Sequence, residues 1–149
     1  MQTIGTINNI LHRKGASIWS VAPGDTVFDA IKLMAEKNIG ALLVMEGERL
    51  VGILSERDYT RNIALKGRSS KDTRVGEILS ADVVSATPEH TVEECMRLMT
   101  EHRIRHLPVL ADGKVIGIVS IGDLVNWIIG TQSAALDQMA SYISGGYPT

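Results

Sequence analysis

Cysteine is nearly absent from this sequence: Cys95 stands alone, which excludes an internal disulfide and a thiolate metal cluster. The same scarcity fits a reducing compartment. Aromatic residues make up 4% of the 149 positions, so a core must be assembled from Val, Ile, Leu, Met and Ala. Surplus positive charge is missing too, with 15 Lys and Arg against 17 Asp and Glu. That balance argues against sequence-independent nucleic-acid binding, which needs a cationic surface facing the phosphates. No apolar run approaches the roughly 18 residues of a bilayer span. The opening stretch MQTIGTINNILHRKG lacks the basic start and unbroken apolar segment of a signal peptide. Its Ile4, Ile7, Ile10 and Leu11 recur at helical spacing instead. A soluble, cytoplasmic protein without a membrane partner is the expectation.

What the sequence does contain is itself, twice. A shift of 65 positions lays residues 18–63 on 83–128 without a gap, carrying Pro23 onto Pro88. Thr26-Val27 then meet Thr91-Val92, Leu33-Met34 meet Leu98-Met99, Gly52-Ile53 meet Gly117-Ile118, and Asp58 meets Asp123. Ordered matches over such a span mark a duplication. Each copy begins with a β-type stretch, Ile18–Val21 or Val83–Ala86. A helix follows, with Thr26 or Thr91 at its N-cap and a capping box in Thr91-Val92-Glu93-Glu94. Two apolar strands come next, Leu42–Met45 with Leu50–Leu54, and Leu107–Leu110 with Val115–Val119. The turns between them are Glu46-Gly47-Glu48 and Asp112-Gly113. Second helices are expected over Asp58–Leu65 and Asp123–Ile129. The chain divides into an N-terminal helical segment (1–16), repeat 1 (17–70), repeat 2 (78–130) and a C-terminal helix or tail (131–149). Repeats this small bury too little apolar surface alone, so they are expected to pack together, with a cleft between them for a ligand.

The segment richest in chemistry is GILSERD, residues 52–58, and its copy GIVSIGD, residues 117–123. In both, Gly, Ser and Asp stand where a strand hands over to a helix. Glycine admits close approach to the backbone. Ser55 or Ser120, the first N–H groups of the helix, and the carboxylate of Asp58 or Asp123 could together hold a ribose and a phosphate. The same residues are also good helix caps, and duplication copies caps as faithfully as sites.

With IRHLPV preceding the second copy, these motifs resemble the cystathionine-β-synthase (CBS) domain family, and the chain as a whole resembles a CBS-domain pair. The resemblance covers both repeats and leaves out the two ends. It implies an α/β fold of two β-α-β-β-α repeats, packed through their sheets with pseudo-two-fold symmetry. It also implies a regulatory, non-enzymatic role, with AMP, ADP, ATP, NAD or S-adenosylmethionine as ligand, and a homodimer acting on an unidentified effector protein. Carried over by position, Asp58 and Asp123 would hold ribose hydroxyls and Ser55 and Ser120 would support them. Arg105 and His106 would face phosphate, and Thr87 would lie near sugar and base. Apolar side chains and the backbone of a first strand would take the adenine. The first copy departs from this pattern: Gly40-Ala41 stand in the place of Arg105-His106, and Ala22 in that of Thr87. Two unequal clefts follow: Asp58, Arg57, Arg105 and His106 in one, Asp123 with Gly40 and Ala41 in the other.

Several residues have plainer readings. His102, Arg103, Arg105 and His106 suit a solvated helix end. His102 and His106 have a metal-ligand spacing, but Pro108 ends the helix between them and no third ligand accompanies them. Cys95 and Met34, Met96 and Met99 read as core, and KGRSSK (66–71) as an exposed linker. No nucleophile-and-base arrangement with a local signature is present. The alternative function is an interaction module whose clefts are empty.

Overall fold

A computed structural model describes residues 5–15, 17–79 and 83–143, and in it the duplication becomes one packing scheme used twice. Helix α1 (Ile7–Lys14) comes first. Repeat 1 holds β1 (Ser20–Val21), α2 (Val27–Lys37), β2 (Ala41–Glu46), β3 (Arg49–Ser55) and α3 (Glu56–Tyr59), whose last turn widens into a π-helical turn at Thr60–Ala64. Helix α4 (Val75–Ile78) leads to repeat 2, made of α5 (Val92–His102), β4 (His106–Ala111), β5 (Lys114–Ser120) and α6 (Ile121–Ile143).

Local chemistry sets these boundaries. Thr26 Oγ1 accepts from the Asp29 N–H at 3.1 Å. Thr91 does the same for Glu94, whose carboxylate accepts in return from the Thr91 N–H at 2.9 Å. Asn38 and Arg103 end α2 and α5 in the left-handed conformation, with φ of 54° and 55°. Asp112 and Gly113, both at positive φ, close the β4–β5 hairpin, and its register repeats that of β2–β3: Ala41 faces Ser55 as His106 faces Ser120.

Two apolar clusters form the core, one per repeat. The first includes Val21, Val27, Ala30, Met34, Leu42, Val44 and Leu54. Their counterparts Ala86, Val92, Cys95, Met99, Leu107, Val109 and Val119 build the second. Leu43 and Pro108 alternate with the strand residues of these clusters and so point to the opposite sheet faces, yet both are buried. Each sheet is therefore covered on both sides, as packing through the sheets requires.

The segments before the repeats are exchanged. The Ile7 N–H donates to His90 O at 2.9 Å, and the Val92 N–H to Gly5 O at 3.0 Å. In the same pattern Val75 donates to Asp25 O and Val27 to Thr73 O, each at 2.9 Å. Ile7 and Ile10 of α1 complete the core of repeat 2, while Val75 of α4 completes that of repeat 1.

Four expectations need correction. The strand over Val83–Ala86 shrinks to one parallel bridge between Ala86 and Val109, because Pro108 has no N–H to match the bond from Leu43 to Trp19 O in repeat 1. The helix of repeat 1 begins at Glu56, two residues before Asp58. The helix ending at Ile129 and the separate C-terminal helix are one: α6 runs unbroken through Gly130. Finally, the 66–71 stretch is exposed but tied down, since Ser70 O accepts from the Phe28 N–H and Arg68 pairs with Glu77 at 3.0 Å.

Candidate functional site

The end of β3 turns into α3 through Ser55, an N-cap in extended conformation. Its Oγ accepts from the Asp58 N–H at 3.2 Å, and Asp58 Oδ2 accepts from the Ser55 N–H at 2.9 Å and from the Ser55 hydroxyl at 3.0 Å. This capping box fixes the carboxylate at the mouth of a cleft. The cleft has a volume of about 490 Å³ and is lined by residues of both repeats. Arg57 spans it, donating from Nη1 to Arg103 O at 3.2 Å. Arg61 and Arg105 add two further cations, Glu56 a second carboxylate, and Ile53, Val83, Val84 and Ile104 an apolar wall. Four guanidinium groups against two carboxylates suit an anionic ligand. The carboxylate and apolar wall suit a group with hydroxyls and a flat face.

The copy of this turn is built alike and occupied differently. Asp123 Oδ2 accepts from the Ser120 N–H at 2.8 Å, and Ser120 Oγ accepts from the Asp123 N–H at 3.1 Å. Asp123 Oδ2 also accepts from Lys14 Nζ at 2.7 Å, and the same ammonium donates to Ile118 O at 2.8 Å. Burial pushes the Asp123 carboxyl up, but the bonds from Lys14 and the Ser120 N–H outweigh it and hold the group below the usual carboxylate range.

His106 lies between the two turns. A Cβ on Gly40 would stand 3.6 Å from its ring, an ordinary contact, and a tighter 3.3 Å from Glu56 Oε1. Burial lowers the proton affinity of His106, Lys14 and Arg105 add to that effect, and Asp123 and Asp58 oppose it. The ring is therefore neutral at neutral pH.

The family model of the CBS domain matches residues 11–65 and 75–130. The chain belongs to the CBS domain family. It is 43% identical over 152 residues to the CBS domain-containing protein CBSX3, mitochondrial, of Arabidopsis thaliana, covering 95% of this chain and 73% of that protein. A solved protein with CBS domains from Burkholderia ambifaria MC40-6, named for signal transduction, is 55% identical with a TM-score of 0.81. The match covers 84% of this chain and 94% of that one. The CBS domain pair of protein MJ0100, solved in complex with 5′-methylthioadenosine and S-adenosyl-L-methionine, shares the fold at a TM-score of 0.74 and 23% identity, over 84% of this chain and 96% of that one. CBS-domain pairs are regulatory modules.

Of the residues singled out in this CBS pair, Gly40, Ser55, Arg57, Asp58, Arg105 and His106 line one cleft. Asp123 meets Lys14 instead, and Ser120 exchanges its capping bonds with Asp123. Ala41 is 5% exposed, a buried strand residue rather than part of a ligand wall. Thr87 is exposed and does not line the cleft; its N–H donates to His90 Nδ1 at 2.8 Å. Sequence reasoning passed over Arg61 and Lys14. Arg61 stands four residues after Arg57, a spacing that puts both on one helical face. Nothing local marks Lys14, which meets Asp123 across 109 positions. Among the described residues no helix is long and apolar enough to cross a membrane, and no group of three or more His, Cys, Asp and Glu is placed to hold a metal ion.

Proposed function

We propose that this chain is a regulatory sensor that binds an adenine nucleotide (AMP, ADP, ATP or NAD) in the cleft of Asp58, without catalysing a reaction. The observation that carries this reading is the company Asp58 keeps. The same cleft holds a carboxylate fixed at a helix N-terminus, Arg57 and Arg61 from that helical segment, Arg103 and Arg105 from the other repeat, and aliphatic side chains. In this reading Asp58 accepts the ribose hydroxyls, Arg57, Arg61, Arg103 and Arg105 face the phosphates, and Ile53, Val83, Val84 and Ile104 take the adenine. Adenosine compounds in the pair of protein MJ0100 support it. The cations here favour a phosphate-bearing ligand over a sulfonium.

Because the cleft is lined from both repeats, a ligand there acts on their relative arrangement. It can shift that arrangement only by its differential affinity for the alternatives. Leu65 is 77% and Ile129 54% exposed on the second helical segments of the two repeats; we assign this apolar surface to a second copy, so that a homodimer passes the change on to an effector protein.

The test is a thermal-shift panel of AMP, ADP, ATP, NAD and S-adenosylmethionine on the wild type and on Asp58→Ala. A true ligand at 100 times its dissociation constant adds about 2.7 kcal/mol. Stabilisation by a nucleotide that Asp58→Ala abolishes is expected. No shift with any of them would turn the reading to a ligand-free interaction module.

A further inference from the structure

The two Ser–Asp turns differ most at a residue ahead of the first repeat's strand. Lys14 ends α1 and places its ammonium on Asp123 Oδ2 and Ile118 O, at 2.7 and 2.8 Å. The 65-residue offset maps these acceptors onto Asp58 and Ile53, both of which line the open cleft. In that cleft Asp58 accepts only from the Ser55 N–H and hydroxyl, among the described residues.

We propose that Lys14 is a built-in occupant of the second cleft, so that the chain takes one nucleotide, at Asp58, and Lys14 sets that stoichiometry. The proposal rests on the reading of Asp58 as the ribose-binding carboxylate. An ammonium donates hydrogen bonds as ribose hydroxyls do, and it brings a full charge to a carboxylate that is 23% exposed. Hydroxyls arriving from solvent are neutral donors and do not replace the ammonium's full charge on the carboxylate. Nor does Lys14 reach Asp123 by chance. Ile7 and Ile10 are buried in the core of repeat 2, and Leu11 lies against Gly117, on the strand that carries Ile118. The helix is thus seated so that its last residue overhangs the second cleft. Gly15, at φ 91°, then turns the chain away from the helix axis.

The geometry also fixes what Lys14 does to its surroundings. It holds Asp123 ionised and lies close enough to His106 to oppose its protonation. The second cleft thereby carries a fixed cation and carboxylate whether or not the first is filled.

Isothermal titration with ADP and ATP tests the proposal on the wild type, Lys14→Met, Lys14→Gln, Asp58→Ala and the Lys14→Met/Asp58→Ala double variant, after thermal unfolding has shown which variants are folded. The wild type is expected to bind one equivalent per chain, lost in Asp58→Ala. Either Lys14 variant is expected to bind two, and the double variant to keep one. Two equivalents in the wild type, or one in both Lys14 variants, would overturn the proposal and leave the Asp58 reading standing. No binding by any protein would overturn both. A carboxyl-detected NMR titration adds a readout without nucleotide: Lys14→Met raises the midpoint of Asp123, and an unmoved Asp123 would dispose of the contact itself.

Discussion

Leu79 lies directly over the bare backbone of Gly52, where a Cβ would collide with its Cδ2. Leu11 covers Gly117 in the same way, so each glycine of the repeated motif admits a leucine, one standing within α1 and the other just after α4 ends. Gly52→Ala and Gly117→Ala are each expected to cost about 1–3 kcal/mol by overpacking. Pairing Gly52→Ala with Leu79→Ala removes most of the clash at the expense of lost burial. Urea denaturation of the single and double variants checks this: costs that simply add would mean that the two residues do not compete for the same space.

His106 gives stability a pH dependence of definite sign. Burial foremost, then Lys14 on α1 and Arg105 ahead of β4, lower its proton affinity; Asp123 on α6 and Asp58 on α3 oppose them. Its folded pKa therefore lies below the ordinary value of about 6.5. Between the two values the unfolded chain binds more protons, so stability rises with pH across that window. The contribution is intact above about 6.5 and is lost as pH falls toward the folded value. Thermal unfolding between pH 5 and 7.5 is expected to show a steeper decline on the acid side for the wild type than for His106→Asn. Parallel curves would remove His106 from the account.

The two caps predict an asymmetry between otherwise matched helices. Thr91 and Glu94 exchange bonds, whereas Thr26 accepts from Asp29 without a return bond. Thr26→Ala and Thr91→Ala are both expected to cost about 1 kcal/mol, with Thr91→Ala the more costly because the lost hydroxyl also bonds the Glu94 carboxylate. Equal midpoints in denaturant would show that the hydroxyl's bond to Glu94 adds nothing.

Cys95 is fully buried, and burial pushes its thiol up to about 11, with Glu94 acting in the same direction. The thiolate is the reactive form. Modification by a disulfide reagent at pH 8 is therefore expected to follow global unfolding. A rate in native buffer comparable to that of free cysteine would contradict the placement.

What the sequence revealed and what it concealed divide by range. The N-caps at Thr26 and Thr91, the Asp112-Gly113 turn and the apolar faces around Met34 and Met99 are written within a few residues, and the duplication repeated each signal. The grouping of Arg57, Asp58, Arg105 and His106 was legible through the family resemblance, and these four line one cleft. The loss of the strand at Val83–Ala86 turned on one missing N–H at Pro108, a distant pairing partner. Lys14 was invisible because its meeting with Asp123 is a tertiary event. The continuity of α6 through Gly130 was missed because one glycine lowers helix propensity without forbidding a helix.

The exchange of α1 and α4 between the two cores bears on how such a chain can be divided or rearranged. A cut near residue 70 would part the sequence between its copies, yet each fragment would carry the other's missing piece: one keeps Ile7 and Ile10, the other Val75. The two halves are interlocked like a clasp, and recombination that transplants one copy alone delivers an unsealed core. The smallest transferable module is the pair together with the segment preceding it.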